Sequence, residues 1–220
     1  MNVLLCDDHR LMREGLKAIL ETAGVDVVGE AENGRQCIDL ALELRPHVVV
    51  MDISMPELNG VDATRRLLGQ WPQAKVLALS MNSDRRYVQA MFAAGAVGYM
   101  LKNAASEELL RAVQAVFADL RYVSPAIAGS FITSYVVTAV EAPAPGTATL
   151  ASARPALSPR EREVLQLLAE GKSSKDIGRR LAIATTTVET HRRQIMNKLT
   201  LRSIAELTKY AVREGLTSLE

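Results

Sequence analysis

Short apolar runs alternate with amphipathic stretches over the first 120 residues. Asn2–Cys6, Val25–Gly29, Val48–Met51, Val76–Ser80 and Val97–Leu101 are rich in aliphatic side chains, the pattern of strands buried on both faces. The stretches Leu11–Ala23, Arg35–Leu44, Val61–Gln70, Arg85–Ala94 and Glu107–Asp119 repeat their apolar positions at helical spacing. Gly24 and Gly95 stand as helix stops, Pro46 follows a helix end, and Ser106 is placed to cap a helix start. Five such βα repeats predict an α/β doubly wound, five-stranded parallel sheet with helices on both faces. In such sheets the ligand site lies at the carboxyl ends of the strands.

The character changes after residue 123. Residues 124–156 predict a linker, because Glu141-Ala-Pro-Ala-Pro-Gly-Thr-Ala-Thr has no apolar period and almost no charge. The apolar piece Ile127–Val140 before it is open between linker and a helix packed on the first domain. From Leu157 the pattern is helical throughout, predicting a small all-α domain over 157–220. Ser158-Pro-Arg-Glu starts a first helix with a Ser cap, a proline and an acid in the first turn; Gly171 ends it. Ser174–Leu181, Thr185–Leu199 and Ser203–Glu214 follow.

Composition sharpens this division. Residues 1–123 hold 13 Lys+Arg against 16 Asp+Glu, a net −3, and residues 158–220 hold 12 against 8, a net +4. An acidic front and a basic back point to different partners for the two halves. Cys6 and Cys37 are the two cysteines, both in apolar stretches, and are expected as core side chains in a reducing cytoplasm. Neither a signal-peptide pattern nor an apolar run of bilayer-spanning length is expected, so no membrane role is.

The chemistry gathers at strand ends. Asp7 and Asp8 follow the first strand, and Asp52 ends Val48-Val-Val-Met-Asp. If strands one and three are neighbours, three carboxylates converge, and like charges that close repel. A hard divalent cation, Mg²⁺ or Mn²⁺, relieves the repulsion with oxygen ligands, and beside a carboxylate nucleophile it suits phosphoryl transfer. Ser80 ends strand four and Lys102 follows strand five; each can meet a phosphoryl oxygen. Singly, such residues are ordinary loop charges. Their joint placement carries the reading.

Leu4-Leu-Cys-Asp-Asp-His, Val50-Met-Asp-Ile-Ser-Met-Pro-Glu-Leu-Asn-Gly, Leu79-Ser and Ala94-Gly-Ala-Val-Gly-Tyr-Met-Leu-Lys resemble the receiver domains of two-component response regulators, which are flavodoxin-like. The resemblance covers residues 1–120. It implies Asp52 as phosphoacceptor, and Asp7, Asp8, Asp52 and the backbone carbonyl of Ser54 as metal ligands. Ser80 and Lys102 become the switch hydroxyl and lysine, and Tyr99 the switch aromatic, whose ring turns inward on phosphorylation.

In the C-terminal half, the break Leu181-Ala-Ile-Ala-Thr between two helices has helix-turn-helix spacing. Ile177, Leu181, Ile183, Val188, Ile195 and Leu199 would form the core, leaving donors on the outward face of the third helix. Leu157-Ser-Pro-Arg-Glu-Arg-Glu-Val-Leu, Glu170-Gly-Lys-Ser-Ser-Lys-Asp-Ile-Gly and Thr187-Val-Glu-Thr-His-Arg-Arg-Gln-Ile-Met-Asn-Lys-Leu resemble the LuxR-type domain, and joined to a receiver, the NarL/FixJ family. The resemblance implies base contacts by Glu189, Thr190 and Arg193, and phosphate contacts by Lys172, Thr187, Arg192 and Lys198. His191 is expected to be structural. Three positions depart from the pattern: Thr200 in place of a helix-ending Gly, Ala184 in place of a capping hydroxyl, and Gly178 in place of Ala, at an expected cost of about 1 kcal/mol.

The implied function is transcription control: a sensor histidine kinase phosphorylates Asp52, and a homodimer engages double-stranded DNA. It is not an enzyme in its own right beyond phosphoryl transfer to itself. A metal-dependent phosphatase would want a second acid two residues after the nucleophile, where Ser54 stands. A regulator controlled by protein contacts alone leaves the acidic pocket unexplained, and no small-molecule-sensing module is evident.

Overall fold

The computed structural model describes residues 1–128 and 157–217. The chain divides into two compact units, residues 1–144 and 145–220.

In the first unit the elements run β1 (Asn2–Cys6), α1 (Arg10–Thr22), β2 (Asp26–Ala31), α2 (Gly34–Leu44), β3 (Val48–Asp52), α3 (Gly60–Gln70), β4 (Val76–Ser80), α4 (Arg85–Ala94), β5 (Gly98–Leu101), α5 (Ser106–Phe117) and β6 (Tyr122–Val123). The sheet is parallel, in the order β2-β1-β3-β4-β5-β6. It therefore has six strands where the apolar pattern predicts five. The extra strand is two residues long, too short to show a period of two, and lies against Gly98 and Tyr99.

Strand alternation divides the core. Val3, Leu5, Val48, Val50, Leu77, Leu79 and Met100 face Leu16 and Leu20 of α1 and Leu109, Val113 and Val116 of α5. Leu4, Cys6, Val49, Met51, Ala78 and Tyr99 face α2, α3 and α4 through Ile38, Ala41, Leu67 and Met91. Both cysteines are buried free thiols. Ile127 is fully buried in the second of these clusters; the rest of the ambiguous apolar piece, from residue 129, and the bulk of the linker lie outside the described residues.

Two local expectations are corrected. The residue at the N-cap of α5 is Ala105, without a side-chain bond, and Ser106 is the first helical residue. The second strand starts one residue later and runs two further than its apolar run suggests, because Glu30 and Ala31 pair with Leu5 and Cys6.

The second unit is four described helices: α6 (Pro159–Ala169), α7 (Ser174–Leu181), α8 (Thr185–Leu199) and α9 (Ile204–Arg213). Ser158 and Glu161 close a capping box on α6, with Pro159 at the first position. Val164, Leu165, Leu168, Ile177, Leu181, Val188, Ile195 and Leu207 form its core, with Ile183 and Leu199 half-buried at the rim. Ala184 and Thr200 bound α8 as expected, the former with no side-chain cap bond, the latter left-handed at φ 58°. At Gly178 a Cβ would lie 2.8 Å from the Ile183 carbonyl oxygen, so glycine allows the turn to close and alanine would not relieve the helix. No described helix is long and apolar enough to cross a membrane.

Candidate functional site

Because β1, β3 and β5 all point the same way, their carboxyl ends bring Asp7, Asp52 and Lys102 together. The Lys102 ammonium lies 2.6 Å from Asp7 Oδ2 and 2.9 Å from Asp52 Oδ2, all three side chains being buried. Asp8 is part-exposed beside them, and oxygens of Asp7, Asp8 and Asp52 with a ring nitrogen of His9 lie within 4.8 Å of one another. The Ser54 amide donates to Asp52 Oδ1 at 3.3 Å.

Burial pushes the Asp52 carboxyl up to about 6; Lys102 opposes this and Asp7 adds to it. Burial alone would lower the Lys102 pKa, but Asp52 and Asp7 outweigh it and raise the value, so the ammonium stays charged. One ammonium thus pairs with two of the three clustered carboxylates. The excess negative charge and the hard oxygen donors fit a divalent cation, by which receiver domains generally complete this pocket.

Ser80 ends β4, next to β5, and is buried; its Oγ accepts from the Asn82 amide at 3.0 Å. Tyr99 is fully buried, and its hydroxyl donates to the Asn82 carbonyl at 2.7 Å. Its burial also pushes the phenol up to about 12. The ring already points inward.

Three supporting residues escape the sequence reading. His9 Nδ1 lies 3.0 Å from Asp8 Oδ1, and its amide donates to Asp7 Oδ1 at 2.9 Å. Arg13, buried on α1, donates to the Asp7 carbonyl at 2.6 Å and to Glu32 at 2.9 Å. Its place on the inward face of a helix with apolar neighbours was the one available signal. Gly60 packs under Asp52: a Cβ there would meet the Asp52 carbonyl oxygen at 2.0 Å.

In the second unit, Val188 and Ile195 turn one face of α8 into the core. Thr187, Glu189, Thr190 and Arg193 are exposed, while Arg192 and Lys172 are half-buried. Glu189 accepts from the Ser174 hydroxyl of α7 and lies 3.7 Å from Arg192. Lys198, expected on phosphate, is 2.8 Å from the buried Glu161 carboxylate. Arg160 donates to the Leu181 carbonyl at 2.6 Å, fastening α6 to the end of α7.

Residues 3–114 match the response regulator receiver domain, and residues 155–211 match the bacterial regulatory proteins of the luxR family. The chain belongs to the luxR-family response regulators. It is 36% identical over 219 residues to the transcriptional regulatory protein MctR of Rhizobium johnstonii, covering 99% of this chain and 96% of that one. It is also 36% identical to the response regulator GacA of Pseudomonas aeruginosa, over 98% and 97% of the two chains. A crystal structure of a LuxR-family two-component response regulator from Aurantimonas superposes with a TM-score of 0.60 at 34% identity, over 61% of this chain and 97% of that one. The RcsB–DNA complex superposes at 0.57 and 26% identity, over 96% of each. This response regulator is a transcription regulator that binds DNA under the control of phosphorylation, rather than an enzyme of the usual kind.

Proposed function

We propose that Asp52 is the residue that takes the phosphoryl group, within a receiver over residues 1–123 that a linker, 124–156, joins to a DNA-binding domain over 157–220. The observation that carries this is the Lys102 bridge between Asp7 and Asp52 at three parallel strand ends. Asp7, Asp8, Asp52 and the Ser54 carbonyl would hold Mg²⁺ or Mn²⁺, which neutralises the developing charge on the phosphoryl oxygens. The Asp52 carboxylate attacks phosphorus, and the bond to the donor's leaving group breaks. Lys102 then pairs with the phosphoryl group, and the Ser80 hydroxyl leaves the Asn82 amide to bond a phosphoryl oxygen. Tyr99, hydrogen-bonded to the same residue, follows that exchange.

The donor is a sensor histidine kinase, or a small acyl phosphate in its place, and the protein works in the cytoplasm. The helix α8 is the recognition helix. Its exposed Glu189, Thr190 and Arg193 face base edges, and Thr187, Arg192 and Lys172 contact phosphates. Phosphorylation biases the chain towards a homodimer that presents two recognition helices to two half-sites.

Acetyl phosphate with Mg²⁺ should label the wild type and leave Asp52→Asn unlabelled, and a chelator should abolish labelling. Wild-type binding to duplexes selected from a random pool should tighten with phosphodonor, and that of Asp52→Asn should not. Retained labelling of Asp52→Asn would refute the acceptor assignment.

A further inference from the structure

We propose that Lys198 is a positioning residue that fixes the recognition helix through Glu161, and is not itself a contact to DNA phosphate. The inference rests on reading α8 as the recognition helix.

The observations begin at the start of α6. Glu161 is the third residue of that helix, and its carboxylate closes the capping box by accepting from the Ser158 amide at 2.7 Å. A capping-box glutamate normally sits at the surface, where water satisfies its remaining lone pairs. Here the side chain is only 4% exposed, and the group that meets it is Lys198, 37 residues on in the chain and 2.8 Å from each oxygen. A buried carboxylate is costly unless it is paired and hydrogen-bonded. The pairing wins: burial raises the Glu161 carboxyl, but the bonds from Lys198 and Ser158 lower it further, to a net value below the ordinary range.

The position of Lys198 along α8 supports the same assignment. It stands in the last turn, where the helix dipole favours a cation. At about 1.5 Å per residue it lies roughly 8 Å beyond Arg193 along the axis. In helix-turn-helix docking it is the N-terminal residues of the recognition helix that reach base edges. The C-terminal turn is therefore where the helix can be fastened to its own domain. One end of α8 is set by the turn against α7, and the other by Lys198 against the start of α6. Together they define the tilt at which Glu189, Thr190 and Arg193 are presented.

A second fastening runs alongside. Arg160, next to Glu161, donates to the carbonyl of Leu181 at the end of α7. Two consecutive residues at the start of α6 thus hold both helices of the motif, Arg160 the end of α7 and Glu161 the end of α8.

The test is the salt dependence of DNA binding by the full-length protein, treated with acetyl phosphate and Mg²⁺, on a duplex selected by the wild type. A phosphate contact contributes about 0.9 to the slope of log K against log salt. With Lys198→Met, affinity for the selected duplex should fall several-fold and the slope should stay at its wild-type value. A slope smaller by about 0.9 would overturn the proposal. Glu161→Gln keeps the shape of the carboxyl and one acceptor oxygen, turns the other acceptor into an N–H donor, and removes the charge. It should weaken specific binding to a similar degree, and the double variant should be no weaker than either single one. Unchanged or tighter binding by Glu161→Gln would mean that Glu161 merely withholds Lys198 from DNA, and would likewise overturn the proposal. Arg193→Ala is run in parallel to tell the two readings apart. If it leaves the footprint unchanged, α8 is not the recognition helix and the underlying reading falls; if it weakens binding, any failure belongs to the anchor alone.

Discussion

The phenol of Tyr99 donates to the backbone carbonyl of Asn82 at 2.7 Å, and the Asn82 amide donates to Ser80 at 3.0 Å. One loop residue therefore holds the aromatic through its oxygen and the hydroxyl through its nitrogen. Rearranging either side chain disturbs the peptide units that the other uses.

Removing the phenolic oxygen isolates one of these bonds. Tyr99→Phe should lower the stability of the first unit by about 0.5–1.5 kcal/mol, the net worth of one hydrogen bond. Tyr99→Ala should cost about 3–5 kcal/mol, because the whole ring is core. Urea denaturation followed by circular dichroism measures both. A phenylalanine variant as stable as the wild type would show that the bond contributes nothing.

Gly60 makes a steric prediction. The Cβ of Gly60→Ala would meet only backbone, the Asp52 carbonyl and the Ile53 Cα, so no flexible side chain can give way. Overpacking of this kind costs about 1–3 kcal/mol. The variant should lose that stability and, because the backbone that yields belongs to Asp52, should also be labelled more slowly by acetyl phosphate. Normal labelling at normal stability would mean the approach relaxes freely.

Thr200 holds a left-handed conformation at the end of α8, with its amide and that of Leu201 bonded back to Asn197 and Met196. A side chain there carries a strain of about 1–2 kcal/mol that glycine avoids, offset in part by the greater freedom of an unfolded glycine. Thr200→Gly should raise the stability of the second unit by about 0.5–1 kcal/mol while its DNA sequence preference stays the same. A thermal melt of the variant at unchanged or lower temperature would contradict this.

Glu161 sets a pH dependence with a definite sign. Its folded-state pKa is depressed, so its contribution is fully present above the unfolded value, about 4.3, and is lost as pH falls through the folded value. The second unit should therefore lose stability on acidification below that range. Glu161→Gln should flatten that part of the profile. Denaturant melts between pH 3 and 7, on the order of one unit apart, compare the two; parallel profiles would exclude the group as the source.

The elements that carry the site were legible because a buried parallel strand and an amphipathic helix write different periods into the chain. Asp7, Asp52, Ser80 and Lys102 could be placed since each sits at or just beyond the end of such a run. What escaped has a different physical origin. Strand β6 is too short to have a period, and Ala105 caps α5 with a backbone conformation and no side-chain chemistry. His9 and Arg13 act through contacts that depend on how α1 lies against β1 and β2. The pairing of Lys198 with Glu161 joins two helices distant in sequence, which spacing along α8 alone does not reveal. The value of Gly178 likewise lies in the turn it faces rather than in the helix that contains it, and no spacing within that helix shows it.

Strand β5 resembles a plank held at one end. Gly98 and Tyr99 have neighbours on both sides, Leu77 and Ala78 of β4 and Tyr122 and Val123 of β6. Met100 and Leu101 are paired only with Leu79 and Ser80 of β4. Lys102 is carried just beyond that half-supported end, while Tyr99 sits where the plank is gripped. A pull on the lysine therefore meets less backbone resistance than a pull on the tyrosine. Within β5, strand support is thus least beside the charge and greatest beside the aromatic ring.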